Sequence, residues 1–213
     1  LKKLKPEVLN ALKAINLEKL NPKPQFIYNS IKSGKNLFIH AISDNEVSTA
    51  PMVAIFNKVN QEYEGSPRAI YITDNSQNAT RCFEDYKKVC RKLDITVDLA
   101  HDKGNMIQQR NDIFDGTEII VGNPKRIYDL YIKNGINTAL LDLFIVDNLA
   151  ECLKDNKQAE LKRIIDSLEK KTQVVLLSNS LSNKVQNFVD NLEIQYTFLD
   201  VETSFEEEAM DND

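Results

Sequence analysis

Seven short runs of β-branched and aliphatic residues recur along this chain, and the segments between them carry apolar residues at helical spacing. The runs fall at 36–41, 68–73, 96–101, 118–122, 143–147, 173–178 and 193–199. Most are nearly continuous in apolar residues, as in Ile119-Ile120-Val121 and Val174-Val175-Leu176-Leu177. A strand with one wet face alternates, whereas a strand covered on both faces does not. Helices are expected near 7–15, 23–33, 50–63, 76–92, 105–114, 124–133, 157–170 and 181–191. In 76–92 the residues Ala79, Phe83, Tyr86, Val89, Cys90 and Leu93 mark one face at steps of three and four. Pro124 follows a strand and suits the first position of a helix. Strand–helix alternation of this kind predicts a doubly wound α/β domain, a parallel sheet of about seven strands with helices on both faces. Its ligands bind beyond the carboxyl ends of the strands, near a switch in strand order.

Composition narrows the classes. The chain has 213 residues, of which 42% are hydrophobic and 28% charged, enough for one sizeable core in a soluble domain. No run approaches the roughly 18 apolar residues that span a bilayer. The first residues are Lys-rich with no apolar stretch of the signal-peptide kind. Beginning at Leu1, the sequence is expected to be a piece of something longer. Three cysteines make no even disulfide framework and point to a reducing compartment, the cytoplasm. The net charge of −5 is unevenly spread. Residues 1–40 hold eight Lys against Glu7 and Glu18, and residues 200–213 hold seven acids with no Lys or Arg. An acidic chain with no dominant basic block is a poor strong binder of nucleic acid, although a local basic face remains open. The expected organisation is one domain over 1–201 and an acidic, flexible tail or linker over 202–213.

The strand–helix junctions carry the chemistry. Ser33-Gly34-Lys35-Asn36-Leu37, Glu84-Asp85-Tyr86-Lys87-Lys88, Ile119-Ile120-Val121-Gly122-Asn123-Pro124-Lys125-Arg126-Ile127, Phe144-Ile145-Val146-Asp147 and Leu176-Leu177-Ser178-Asn179-Ser180 follow one another in order. In that order and spacing they resemble the first RecA-like domain of the DEAD-box RNA helicases. The resemblance runs from about Leu17 to Val201. It implies a RecA-like, P-loop NTPase-type fold and the strand order of that domain. In the family the active site lies between two such domains, so a second RecA-like domain is an implied partner.

The resemblance also assigns positions, and there the sequence departs from the family. Its phosphate loop A-x-T-G-x-G-K-T aligns with Ala41-Ile42-Ser43-Asp44-Asn45-Glu46-Val47-Ser48. Glycines let backbone N–H groups wrap phosphates, the Lys reaches the outer phosphates and the Thr holds Mg²⁺. Here no glycine remains, Val47 stands at the Lys position, and Asp44 and Glu46 add like charge. Ser43 and Ser48 are the remnants. The D-E-A-D tetrad is Asp147-Asn148-Leu149-Ala150. Asp147 keeps the metal-binding position or simply caps the next helix. Asn148 replaces the Glu that orients water, and an amide cannot take that proton. Near Pro22-Lys23-Pro24-Gln25-Phe26, Gln25 is either a remnant of the adenine-reading Gln or an ordinary exposed helix residue. Ser178 and Ser180 stand at the S-A-T motif that couples hydrolysis to strand opening. These residues suit any strand-to-helix turn as well.

The RNA-gripping motifs are implied at three places. P-T-R-E-L-A aligns with Asp74-Asn75-Ser76-Gln77-Asn78-Ala79, so Ser76 takes the Arg position and Asp74 the Pro position. A Gly-Gly turn aligns with Lys103-Gly104. T-P-G-R aligns with Asn123-Pro124-Lys125-Arg126. The helix start at Pro124 with Lys125 and Arg126 makes a phosphate site, or else a solvated helix start with Arg126 in a structural ion pair. RNA contacts are therefore expected at Asn75, Ser76, Gly104, Pro124, Lys125 and Arg126. His40 is read as a satisfied core residue, and no metal site, zinc motif or nucleophile triad is visible. The expected function is a degenerate DEAD-box-like domain without ATP hydrolysis, needing no cofactor. It would bind a protein partner, or single-stranded RNA weakly. The alternative is the nucleotide-binding domain of an active ATP-dependent RNA helicase, with ATP and Mg²⁺ at Gln25, Ser43, Ser48 and Asp147 and with Ser178 still working as part of the coupling motif.

Overall fold

A computed structural model describes residues 4–42, 47–63, 67–155 and 157–204. In chain order the elements are α1 (Pro6–Leu12), a 3₁₀ turn (Lys13–Ile15), α2 (Pro22–Ile31), β1 (Leu37–His40), α3 (Thr49–Lys58), β2 (Ala69–Ile72), α4 (Ser76–Leu93) and β3 (Val97–Ala100). They continue with α5 (Met106–Phe114), β4 (Ile119–Gly122), α6 (Pro124–Ile132), β5 (Leu143–Val146), α7 (Leu149–Cys152), α8 (Gln158–Asp166), β6 (Gln173–Ser178), α9 (Asn183–Asp190) and β7 (Thr197–Asp200). The seven strands form one sheet in the order β3-β4-β2-β5-β6-β1-β7. Every neighbouring pair is parallel.

The period of two along each strand divides the core. Ala69, Tyr71, Ile119, Val121, Leu143, Ile145, Val175 and Leu177 face the helices α1–α4. Ile70, Ile72, Ile120, Phe144, Val146, Val174 and Leu176 face the later helices. That two-sided burial accounts for the unbroken apolar runs. Close approach fixes one residue type. A Cβ on Gly122 would stand 2.4 Å from the Ala100 carbonyl oxygen, so β3 and β4 can lie together there only with glycine.

Two elements differ from the sequence reading. The last strand begins at Thr197 rather than Glu193. Leu192 and Ile194 pack into the second core, and the Glu193 N–H donates to Asp166 Oδ1 at 3.0 Å, so this stretch belongs to the turn after α9. The four-residue α7 was not foreseen. It starts from Asn148 in the left-handed conformation (φ 59°), which a short polar side chain tolerates. After β7, residues 201–204 form a helical turn, where Glu202 pairs with Lys23 of α2. The foreseen boundary at 201/202 therefore falls inside this turn, and 205–213 lie outside the described residues.

Candidate functional site

The chain passes from β1 to β2 over the positions of β5 and β6. The carboxyl ends of these four strands are therefore adjacent at the switch in strand order, the usual ligand position of such sheets. Asp147 stands there directly after β5, and its N–H donates to the Ile72 carbonyl at 2.8 Å. The residue is 9% exposed. Its Oδ2 accepts from the Ser48 hydroxyl at 2.7 Å and from the Tyr71 hydroxyl. Ser48 precedes α3, and Tyr71 reaches up from β2. Among the described residues no Lys, Arg or His pairs with Asp147. The carboxylate is thus held by two neutral donors.

Burial pushes the Tyr71 phenol well above its ordinary range, and the Asp147 charge raises it further. It is therefore a protonated donor at any ordinary pH. Cys82, in α4 beside Tyr71, is pushed up to about 11, first by burial and then by the Asp147 charge. Both shifts come first from burial and then from the Asp147 charge, which the nearby Arg81 offsets in part at Cys82. Tyr71 is the residue that the sequence reading missed. Its signal was a lone phenol between Ile70 and Ile72 in a buried strand, since a buried Tyr hydroxyl usually finds a polar partner.

The other nucleotide-side residues are dispersed. Asn148 turns its Oδ1 into a buried position with no hydrogen-bond partner among the described residues. Ser178 is buried, and its hydroxyl donates to the Ser180 carbonyl at 2.8 Å while accepting from the Ser180 N–H at 3.3 Å, which closes that turn on itself. Gln25 donates to Asn29 Oδ1 at 3.1 Å, one turn along α2. Ser43, Asp44 and Glu46 lie outside the described residues. His40 sits at the end of β1 with Nδ1 3.1 Å from Asp200 Oδ2, partly exposed rather than in the core. Among the described residues no cluster of His, Cys, Asp and Glu could hold a metal ion. Asp147 with Ser48 is the donor set at the metal position, one carboxylate and one hydroxyl that are bonded to each other. Mg²⁺ is commonly held by one or two carboxylates with substrate phosphates and water, so Asp147 and Ser48 are the residues that could hold it, with an amide rather than a second carboxylate at Asn148.

The residues expected to contact RNA gather mostly at the ends of β3 and β4. Arg126 is 6% exposed. Its Nη1 donates to Gln109 Oε1 at 2.7 Å, and its Nη2 to the carbonyls of Asp102 (3.1 Å) and Gly104 (3.0 Å). The Nε is buried without a partner among the described residues. The guanidinium therefore braces the turn at Gly104 and faces away from solvent. A Cβ on Gly104 would lie 2.1 Å from Gln109 Nε2, so a larger residue there would displace the Gln109 amide from the brace. Asn123 caps α6 through the Arg126 N–H at 3.2 Å and donates to Asp102 Oδ1 at 2.7 Å. Pro124 is buried in the first turn. Lys125 is the outward cation, paired with Asp129 at 2.7 Å. Asn75 caps α4 through the Asn78 N–H at 2.9 Å, and Ser76 is buried beneath it. Asp74 accepts from Asn75 and Asn78 at 2.6 and 2.7 Å. Gly104, Pro124, Lys125 and Arg126 are thus brought together, with Asn75 and Ser76 on the neighbouring β2 junction.

The comparisons with known proteins agree with this frame. ATP-dependent RNA helicase eIF4A of Aspergillus niger is 24% identical over 85% of this chain and 46% of its own length. A probable ATP-dependent RNA helicase DDX46 of Danio rerio is 26% identical over 81% of this chain and 18% of its own length. A DEAD box protein from Methanococcus jannaschii superposes with a TM-score of 0.82 at 18% identity, covering 93% of this chain and 54% of that one. Dbp5 of S. cerevisiae, in a structure with Nup159, Gle1, IP6 and ADP, gives 0.79 at 20% identity, covering 92% and 52%. The chain spans about half the length, or less, of these relatives. Their shared fold is the RecA-like domain, here a seven-stranded parallel sheet between two helical layers. The sequence model described as DEAD/DEAH box helicase matches residues 25–188, and the chain belongs to that family.

Proposed function

We propose that this domain has lost ATP hydrolysis and works as a binding module of the DEAD-box type, for a protein partner or weakly for single-stranded RNA. The observation that carries the reading is the Asp147 carboxylate closed by the Ser48 and Tyr71 hydroxyls, with Asn148 beside it in place of a general base. Phosphoryl transfer depends on positioned metal, cations and a water-orienting group. Val47 has no charge for the outer phosphates, Ser48 is turned to Asp147, and Asn148 cannot accept the proton of an attacking water. Neither ATP nor Mg²⁺ is then needed for the domain to act.

Relatives supply the partner classes. Dbp5 has been solved with RNA and with the proteins Nup159 and Gle1. In this chain the accessible remainder of the RNA side is the exposed Asn75 with the half-buried Lys125 and turn at Gly104, and Arg126 stands behind that turn as support. Few phosphate contacts predict weak binding with a shallow salt dependence. Three free cysteines suit a reducing compartment such as the cytoplasm, and among the described residues no helix is long and apolar enough to cross a membrane.

The direct test measures phosphate release from ATP with Mg²⁺ and single-stranded RNA. The expected result is no release above the protein-free rate, together with RNA binding at low salt that fades as salt rises. Release that disappears in Asp147→Asn would overturn the reading.

A further inference from the structure

The opposite end of the sheet carries a second concave site. Beneath the amino ends of β6, β1 and β7 lies a trough of about 450 Å³, with Lys35, Lys170, Lys171, Tyr196 and Thr197 among its walls and Gln173 in its floor. It spans three adjacent strands, about 10 Å at the usual strand spacing. The volume falls in the range of small-molecule sites.

The charges there are unbalanced. Lys35, Lys170 and Lys171 are all exposed, and none forms an ion pair among the described residues. Lysines without an ion pair occur elsewhere among the described residues too, such as Lys13, Lys92 and Lys184; what sets these three apart is that they line one trough. Three ammonium groups around one trough repel one another, and the repulsion is relieved by an anion among them. In a chain of net charge −5 this is a local reversal of sign, which steers anions to one place.

The floor is built. Gln173 is buried, and its Nε2 donates to the carbonyls of Ile31 at 2.7 Å and Lys35 at 2.8 Å. Asn36 Oδ1 accepts from the Val174 N–H at 2.8 Å, and its Nδ2 donates to the Gln195 carbonyl at 3.0 Å. Two amide side chains thus tie together the three turns that form the walls. Their donors are satisfied inward, which leaves the lysines as the groups offered to a ligand. A rigid frame lowers the ordering cost of binding.

We propose that this trough binds a compact oligoanion carrying two or more phosphate groups. The site is remote from Asp147 and does not rest on the reading of the nucleotide side.

The test uses tripolyphosphate without added metal, titrated by calorimetry at low ionic strength against the wild type. The comparison proteins are Lys35→Ala/Lys170→Ala/Lys171→Ala and Ser48→Ala, each with a thermal melt. The expected result is saturable one-site binding, tighter than that of inorganic phosphate. It should weaken about tenfold or more in the triple variant, at up to about fivefold for each exposed ion pair, and persist in Ser48→Ala. No saturable binding would overturn the proposal. So would equal affinity in a folded triple variant, or loss in Ser48→Ala, which would put the anion at the other end of the sheet. Single-stranded RNA that competes phosphate for phosphate with tripolyphosphate would make the trough a nucleic-acid surface and contradict it equally.

Discussion

At one end of the sheet two buried charges stand on the junctions either side of β2, and among the described residues each is held without a counter-charge. Asp147 is an anion between the hydroxyls of Ser48 and Tyr71. Arg126 is a cation between an amide oxygen and two backbone carbonyls. The difference lies in what each arrangement is for. Arg126 ties together residues from three segments, 102–104, 109 and 126, so its charge is part of the scaffold. Asp147 is met, among the described residues, by two neutral hydroxyls that close it off without tying further segments of the scaffold together. Charge is thus built into the scaffold at Arg126, while at Asp147 it is held by neutral donors alone among the described residues.

That contrast can be broken by mutation, and the largest effect belongs to the scaffold. Arg126→Ala removes three charge-assisted bonds and leaves two carbonyls of a half-buried turn and the buried Gln109 amide oxygen without their donor. The expected loss is about 3 kcal/mol in a denaturant melt, with Arg126→Lys recovering only part because an ammonium lacks the planar fork. A loss within the scatter of surface substitutions would mean that the guanidinium does not brace the turn. Asp147→Ala comes next. It leaves two hydroxyls without their acceptor and should cost about 2 kcal/mol. Tyr71→Phe deletes one of those donors and should cost about 1 kcal/mol. If Tyr71→Phe costs as much as Asp147→Ala, the phenol has a second role that the contrast omits.

The smallest effect sharpens the electrostatics. The Cys82 thiol sits at about 11, raised by burial and then by the Asp147 charge. The reactive thiolate forms as pH rises through that value, so alkylation at pH 8 should be slow. In Asp147→Asn the negative charge is gone, the thiol titrates lower, and the rate at the same pH should rise several-fold. Cys90 and Cys152 are buried, so mass spectrometry can follow Cys82 alone. An unchanged rate would mean that a cation already balances Asp147.

Much of this was legible in the residues, because burial on both faces writes itself as continuous apolar runs. Ile119-Ile120-Val121 and the strand Gln173–Ser178 are clear for that reason. Pro124 marked the start of α6 because proline fixes the backbone and lacks the donor that a first turn leaves unpaired. Side-chain direction was not legible. A sequence names Arg126 and allows both an outward phosphate contact and an inward brace; only the position of Gln109 and of the Gly104 carbonyl decides. Tyr71 was hidden by its neighbours, since nothing in a buried strand announces which ring reaches a carboxylate 76 positions later. The α7 turn escaped because four residues carry no periodicity.

We propose that Asp147 and Ser48 do not serve as a nucleotide–metal site. Calorimetric titration with ATP and Mg²⁺ in the millimolar range tests it most directly, on the wild type and on Ser48→Ala. The account predicts no saturable heat from either protein. A saturable isotherm from the wild type that Ser48→Ala abolishes would contradict it.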